Sequence, residues 1–327
     1  MILAKGNDGA YPTYLDARAC GMKLLALAAL LIVRTEIAPG VVLIPGQLAP
    51  DRSPDGNSVL LRGSDGWVVI DTGRGGEHTD EILRFLADAE APPRAVLNTH
   101  WHLDHIGGNA DFRREWPKAT IVAHPALDSA LAGFHAANRV ELEKLISTIA
   151  SPPLKARLET ELALLKLDRE LAADEGVTTS GPRTLAGSAL DLHVETRAVS
   201  DGDLWILDQE SKTLITGDLV TLPVPLFDTA CPEGWQQALS RMADVEFETL
   251  VPGHGDPLTR ESFSTYRRGF DALLACAGSG AENTACIDGW FREVKAEDSP
   301  YARELLGYYV KQFLRPDAPG RRRWCEG

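Results

Sequence analysis

The chain has 327 residues, 44% of them apolar and 24% charged, and a formal net charge of −14. That length buries a large core, as one big domain or two smaller ones, and the composition is ordinary for a soluble globular protein. The acidic balance argues against a nucleic-acid binder and against docking on anionic membranes, since both need basic patches. The short run Arg321-Arg322-Arg323 is read as a solvated tail.

In chain order, Met22-Lys23 precedes ten apolar residues, LLALAALLIV, closed by Arg34. Ten is too short to span a bilayer but fits the apolar core of a secretory signal. Residues 1–34 are therefore expected to be an extension with apolar positions in 22–33, and the protein to be periplasmic or secreted. A buried helix in a cytoplasmic protein is the alternative. From Thr35 the pattern changes. GVVLIPG, SVLLRG and WVVIDTG are short apolar runs bounded by turn residues and predict strands. EHTDEILRFLADAE has helical spacing, AVLN is a buried strand, DFRREWP a short helix and ATIVAH the next strand.

Residues 126–176 read as a helical insertion, interrupted at Ser151-Pro152-Pro153. Strands resume at ALDLHVETRAV, DLWIL and TLITGD, and a helical region is expected over 258–316. Five cysteines are too few for a disulfide scaffold and lack zinc-ribbon spacing. In an oxidising compartment Cys276 and Cys286 are the first candidate pair and Cys231 with Cys325 the second; free buried thiols are the alternative.

The stretch VLNTHWHLDHIGGN places His100, His102, Asp104 and His105 within six positions. Imidazole and carboxylate are ligands for a zinc-like divalent ion. Alternate residues of an extended segment point the same way, so His100 and His102 can face one ion and Asp104 and His105, past the bend, a second. Gly107-Gly108 is read as freedom for the backbone to turn.

THWHLDH, preceded by VVIDTG and followed by LITGD and VPGHGD, resembles the metallo-β-lactamase superfamily over roughly Thr35 to Pro257. The resemblance implies an α/β fold: an αββα sandwich of two mixed sheets flanked by helices, spanning 35–327 as one domain. It implies that Asp71 supports the histidine loop, that Asp218 bridges two ions and that His254 completes the second ion's ligands. It also implies a histidine at the place of Val199, where RAVSDGD matches a pattern of the A-H-T-x-G-D kind. Ser200 is a poor zinc ligand, His193 lies about 20 Å along an extended strand, and His135 of the insertion is the remaining substitute. The Asp104/His105/Asp218/His254 site is therefore expected to hold one ion tightly, and the His100/His102 site to be weak. Zn²⁺ is the expected ion, with Mn²⁺ or Fe²⁺ as alternatives.

Such an ion makes water reactive near pH 7, with Asp104 and Asp218 placed to orient it and carry its proton. Metal-assisted hydrolysis of an ester, thioester, lactone or lactam-like bond in a small molecule follows, without stable membrane insertion. A metal-binding protein with weak or lost catalysis is the alternative that Val199 suggests. The substrate pocket is expected from the helical insertion and Val220–Trp235, with Trp101 at its wall. His78, His124 and Cys231 are expected to be structural.

Overall fold

The computed structural model describes residues 34–48, 52–318, 320 and 324–325. The apolar stretch at 24–33, Cys20 and the arginine run at 321–323 lie outside these. Strands β1 (Thr35–Ala38), β2 (Val41–Ile44), β3 (Ser58–Gly63) and β4 (Gly66–Ile70) form an antiparallel meander. Helix α1 (Gly76–Asp88) then crosses to β5 (Pro93–Leu97), which runs parallel to β4. Two short helices, α2 (Leu103–Ile106) and α3 (Asn109–Glu115), lead to β6 (Thr120–Ala123), again parallel.

Between β6 and the two-residue β7 (Glu175–Gly176) come α4 (Ala126–Ala130), a π turn at Leu131–His135, α5 (Ala136–Thr148) and α6 (Pro152–Leu165). Pro at the first helical positions of α6 costs no hydrogen bond, and this is why the chain restarts a helix at Ser151-Pro152-Pro153. These seven strands make one mixed sheet in sequential order. The second sheet comprises β8 (Gly181–Leu185), β9 (Ser188–Glu195), β10 (Asp203–Asp208) and β11 (Thr213–Ile215), all antiparallel. After α7 (Pro232–Ala243), β12 (Thr249–Val251) joins its edge parallel to β11. Helices α8 (Arg260–Gly278), α9 (Asn283–Val294) and α10 (Pro300–Tyr309) complete the chain, α8 starting at a capping box of Thr259 and Ser262.

Strand periodicity builds the layers. On β3, Val59 and Leu61 face Leu190, Leu192, Leu204 and Ile206 of the second sheet, while Leu60 between them packs under Ile82 and Leu86 of α1. The outer face of the second sheet, with Trp205, Leu207 and Leu214, is covered by α7 to α10. The result is helix, sheet, sheet, helix: the αββα sandwich. The strand expected through RAV stops at Glu195, because the Ser200 backbone N–H and hydroxyl both bond the Asp203 carboxylate and tie a turn before β10. Among the described residues no helix is long and apolar enough to cross a membrane.

Candidate metal centre

Parallel strands deliver their following loops to one edge of a sheet. The loop after β4 carries Asp71, and the loop after β5 carries the histidine cluster. The carboxylate after β11 is Asp218, and His254 follows β12. All six candidate ligands converge there, and all but His102 are buried. Asp218 sits at the centre. Its Oδ1 is 3.2 Å from His105 Nε2 and 3.4 Å from His254 Nε2, and its Oδ2 is 3.6 Å from His100 Nε2 and 3.9 Å from His102 Nδ1. His254 Nε2 is also 3.3 Å from Asp104 Oδ2. A side chain at Gly253 would have its Cβ 2.1 Å from Asp218 Oδ1, so glycine there makes room for the carboxylate. Gly107 and Gly108 have ordinary helical dihedrals. They serve close packing rather than a sharp turn, since a Cβ would meet Arg74 O at 2.3 Å and Thr72 O at 2.5 Å respectively.

Neighbouring groups fix which ring nitrogen faces the centre. Asp71 Oδ2 takes a hydrogen bond from the Thr99 hydroxyl at 2.7 Å, so Thr99 Oγ1 accepts from His100 Nδ1 at 3.0 Å. The Thr229 hydroxyl donates to the Val199 carbonyl at 2.8 Å and therefore accepts from His102 Nε2 at 2.7 Å. The carboxylate of Asp71 accepts from His105 Nδ1 at 2.7 Å. In their neutral forms His100, His102 and His105 thus spend their N–H outward and aim a lone pair inward. His100 Nε2 and His102 Nδ1 meet at 2.9 Å with neither carrying a hydrogen. His105 Nε2, both ring nitrogens of His254 and both Asp218 oxygens are buried without a hydrogen-bond partner. Lone pairs and a carboxylate crowded in a dry space repel unless a cation lies among them. The donor set fits a divalent ion of the zinc type, with Thr99, Thr229 and Asp71 orienting His100, His102 and His105.

The carboxylates and imidazoles are also coupled by charge: burial would lower His105, but Asp218 and Asp71 more than reverse it and raise the imidazole well above its ordinary value. Burial alone would raise Asp104, but His254, His105 and Arg74 more than reverse it and hold the carboxyl well below the ordinary range. Burial would likewise raise Asp218, and the surrounding imidazoles pull it well below instead. Burial, reinforced by His100, pushes His102 down to about 3, leaving it neutral and able to ligate.

The side of Asp104, His105, Asp218 and His254 is complete. On the His100/His102 side Val199 is buried and supplies no ligand. Ser200 is bound to Asp203, whose carboxyl burial lifts to about 6. His193 stacks on Trp205 with ring centroids 3.5 Å apart, and His135 Nε2 bonds the Trp101 carbonyl at 3.0 Å, so neither substitutes. His78 pairs with Ser58 and His124 with the Ala126 N–H. Both cysteine pairs, Cys276–Cys286 and Cys231–Cys325, are disulfides, in place of free thiols.

A chamber opens from the centre, with His102, Asp104 and Asp218 in its lining. Trp101, Phe134 and leucines of α5 and α6 form one wall, as the sequence suggested. From Val220–Trp235, Leu226 and Asp228 reach it, whereas Val224 and Phe227 pack in the core. Tyr301, Leu305 and Tyr309 of α10 close the opposite side, and nothing in the sequence pointed to them. Sequence reasoning also missed Thr229, Arg74 and Glu161. Arg74 had one available signal, its place in the turn directly after Asp71. Its Nη1 is 2.6 Å from Glu161 Oε2 and its Nη2 3.6 Å from Asp104 Oδ1.

Acyl-coenzyme A thioesterase MBLAC2 of Homo sapiens is 30% identical over 177 residues, covering 50% of this chain and 58% of that protein. A linear primary-alkylsulfatase of Pseudomonas sp. is 25% identical over 305 residues, 82% of this chain and 56% of its own. A hydroxyacylglutathione hydrolase of Synechococcus sp. is 61% identical over 33 residues, 10% of this chain and 13% of that protein. The chain thus spans less than two thirds of each of these relatives. Among solved structures, the metallo-beta-lactamase family protein TTHA1429 from Thermus thermophilus superposes with a TM-score of 0.58 at 19% identity, over 84% of this chain and 93% of that one. A metallo-beta-lactamase from Pontibacter korlensis gives 0.52 at 18% identity, over 71% and 95%. These two share the fold. The family model of the metallo-beta-lactamase superfamily matches residues 54–254, the span that carries every candidate ligand. The chain belongs to the metallo-β-lactamase superfamily.

Proposed function

We propose that the protein is a zinc-dependent hydrolase of ester or thioester bonds in a small molecule. The observation that carries the reading is the buried Asp218 carboxylate, without a hydrogen-bond partner at either oxygen and ringed by ring nitrogens of His100, His102, His105 and His254. The thioesterase and alkylsulfatase names of partial relatives support hydrolysis of ester-type bonds. Asp104, His105, Asp218 and His254 would hold the ion tightly, and His100 with His102 would hold a second more weakly. Such an ion supplies Lewis acidity that makes water nucleophilic near pH 7 and polarises a carbonyl.

The chain's own groups do the remaining work. Asp104 and Asp218 stay ionised and can each accept a hydrogen bond from the attacking water, fixing its orientation. Thr99, Thr229 and Asp71 hold the rings so that no ligand must rotate as the reaction proceeds. Trp101 and the leucine wall exclude bulk water, which strengthens every charge interaction inside. Two disulfides support an oxidising compartment, hence export.

The reading is tested with metal-defined protein on p-nitrophenyl acetate, a butyryl thioester, a γ-lactone and nitrocefin. Ester and thioester turnover is expected, reduced at least 100-fold in Asp218→Asn. Absence of turnover with zinc bound, or turnover that ignores that substitution, rejects it. One observation favours a second reading, metal binding with feeble catalysis: Val199 stands where a third imidazole would complete the His100/His102 side. If Val199→His binds a second ion and turns over esters that the native protein does not, the second reading holds.

A further inference from the structure

Beyond the histidine turn, leucines from three distant parts of the chain line the chamber beside the metal centre, with Leu48 and Pro54 adding a further segment. Leu142 of α5 and Leu154 and Leu158 of α6 come from the insertion, Leu226 from the loop after β11, and Leu305 from α10. Trp101, between two candidate ligands, joins the apolar wall to the centre, its ring meeting that of His102 edge-on at 4.7 Å. Leu142, Leu158 and Leu305 are only 3%, 6% and 3% exposed, yet they front the cavity. Each is otherwise packed in the core and offers the cavity only a narrow apolar strip.

Two polar pairs stand in the wall. Arg74 is bound to Glu161 and flanks Asp104, and the Tyr309 hydroxyl donates to Asp228 Oδ2 at 2.5 Å. Burial raises the Asp228 carboxyl, which favours its uncharged form. The other lining charges are Asp104 and Asp218 of the centre, and Arg52 and Arg157, which belong to exposed and half-buried residues respectively. A space walled mainly by leucines, Trp101, Phe134 and tyrosines, with Arg74 and Asp228 held by neighbouring side chains, suits a hydrocarbon rather than a sugar.

We infer that the chamber between the insertion and α10 seats the hydrocarbon chain of the substrate, so that the enzyme selects esters or thioesters of aliphatic chains several carbons long. This rests on the hydrolase reading for the bond that is cut, and on the chamber alone for the chain. Each methylene moved from water into a dry apolar wall is worth roughly fourfold in kcat/KM.

The experiment uses the full zinc-loaded chain with p-nitrophenyl acetate, butyrate, hexanoate and octanoate below their aggregation limits, and calorimetric titration with n-octanol and ethanol. A rise in kcat/KM of at least about 50-fold from acetate to octanoate is expected, with n-octanol binding and ethanol not. Leu154→Trp, which narrows the chamber, should cut the octanoate-to-acetate ratio at least tenfold. The native profile and the octanol titration stand even if that variant fails to fold. A flat or falling profile with acetate still hydrolysed overturns the inference and leaves the hydrolase reading intact. Octanol binding without turnover of any ester supports the chamber and removes the hydrolase reading. Neither binding nor turnover removes both.

Discussion

Glu161 of the helical insertion binds Arg74 at 2.6 Å, and the same guanidinium stands 3.6 Å from the candidate ligand Asp104. Both partners are nearly inaccessible, with side chains 12% and 14% exposed. Burying charges is tolerated only when each has a counter-charge, and removing one partner leaves the other stranded at a cost of about 3–5 kcal/mol. Glu161→Ala should therefore destabilise the protein by about 3 kcal/mol. It should also draw Arg74 toward Asp104 and weaken zinc binding roughly tenfold or more. Urea unfolding and chelator competition measure the two effects. Native-like zinc affinity in a folded Glu161→Ala protein separates the insertion from the metal centre.

Thr229 is the second outer group with a clear consequence. Its hydroxyl is held by the Val199 carbonyl and in turn holds His102 Nε2, leaving Nδ1 to face the centre. Thr229→Val removes that restraint while keeping the shape. The weaker His100/His102 ion should then lose affinity by roughly tenfold or more, whereas Thr229→Ser should retain it. Zinc titration of all three proteins decides, and equal affinities contradict the assignment.

His78 is 2% exposed and bonded to Ser58. Burial, with the charge of His105 adding, lowers its pKa from 6.5 to about 4. The unfolded chain then binds a proton that the folded chain refuses, so stability is present above pH 6.5 and is lost as pH falls toward 4. The full shift corresponds to about 3 kcal/mol. The difference in unfolding free energy between the native protein and His78→Asn should shrink by that amount across the interval. A difference independent of pH contradicts the reading.

Cys276 and Cys286, ten positions apart, bridge the end of α8 to α9. A closed loop of that size restricts the unfolded chain by about 3 kcal/mol. The Cys276→Ser/Cys286→Ser protein should lose about that much stability, and reductant should lower the native protein but leave the variant unmoved by this bridge. Unfolding under both conditions checks it.

Much of the architecture was legible because buried strands and amphipathic helices advertise themselves locally. Val59-Leu60-Leu61 reads as a strand with two buried faces, and the spacing of Ile82 and Leu86 as a helix lying on one of them. The candidate ligands His100, His102, Asp104 and His105 were visible because their chemistry is crowded into one turn, and Asp71, Asp218 and His254 through a known motif order. What stayed hidden depends on tertiary contact. Thr229 matters only because the loop before α7 sets it between His102 and the Val199 carbonyl. Glu161 matters only because α6 folds back on the loop after β4. Leu305 and Tyr309 lie in an ordinary amphipathic helix, whose cavity-facing side looks like any buried stripe.

The central claim is most directly tested by counting metal ions per chain after dialysis against a weak chelator, in the native protein, Asp218→Asn and His254→Ala. One tightly retained zinc per native chain is expected, with a second taken up only at higher zinc concentration and both substitutions releasing the retained ion. A native chain that retains no divalent ion, or variants that retain it as firmly as the native chain, would contradict the account.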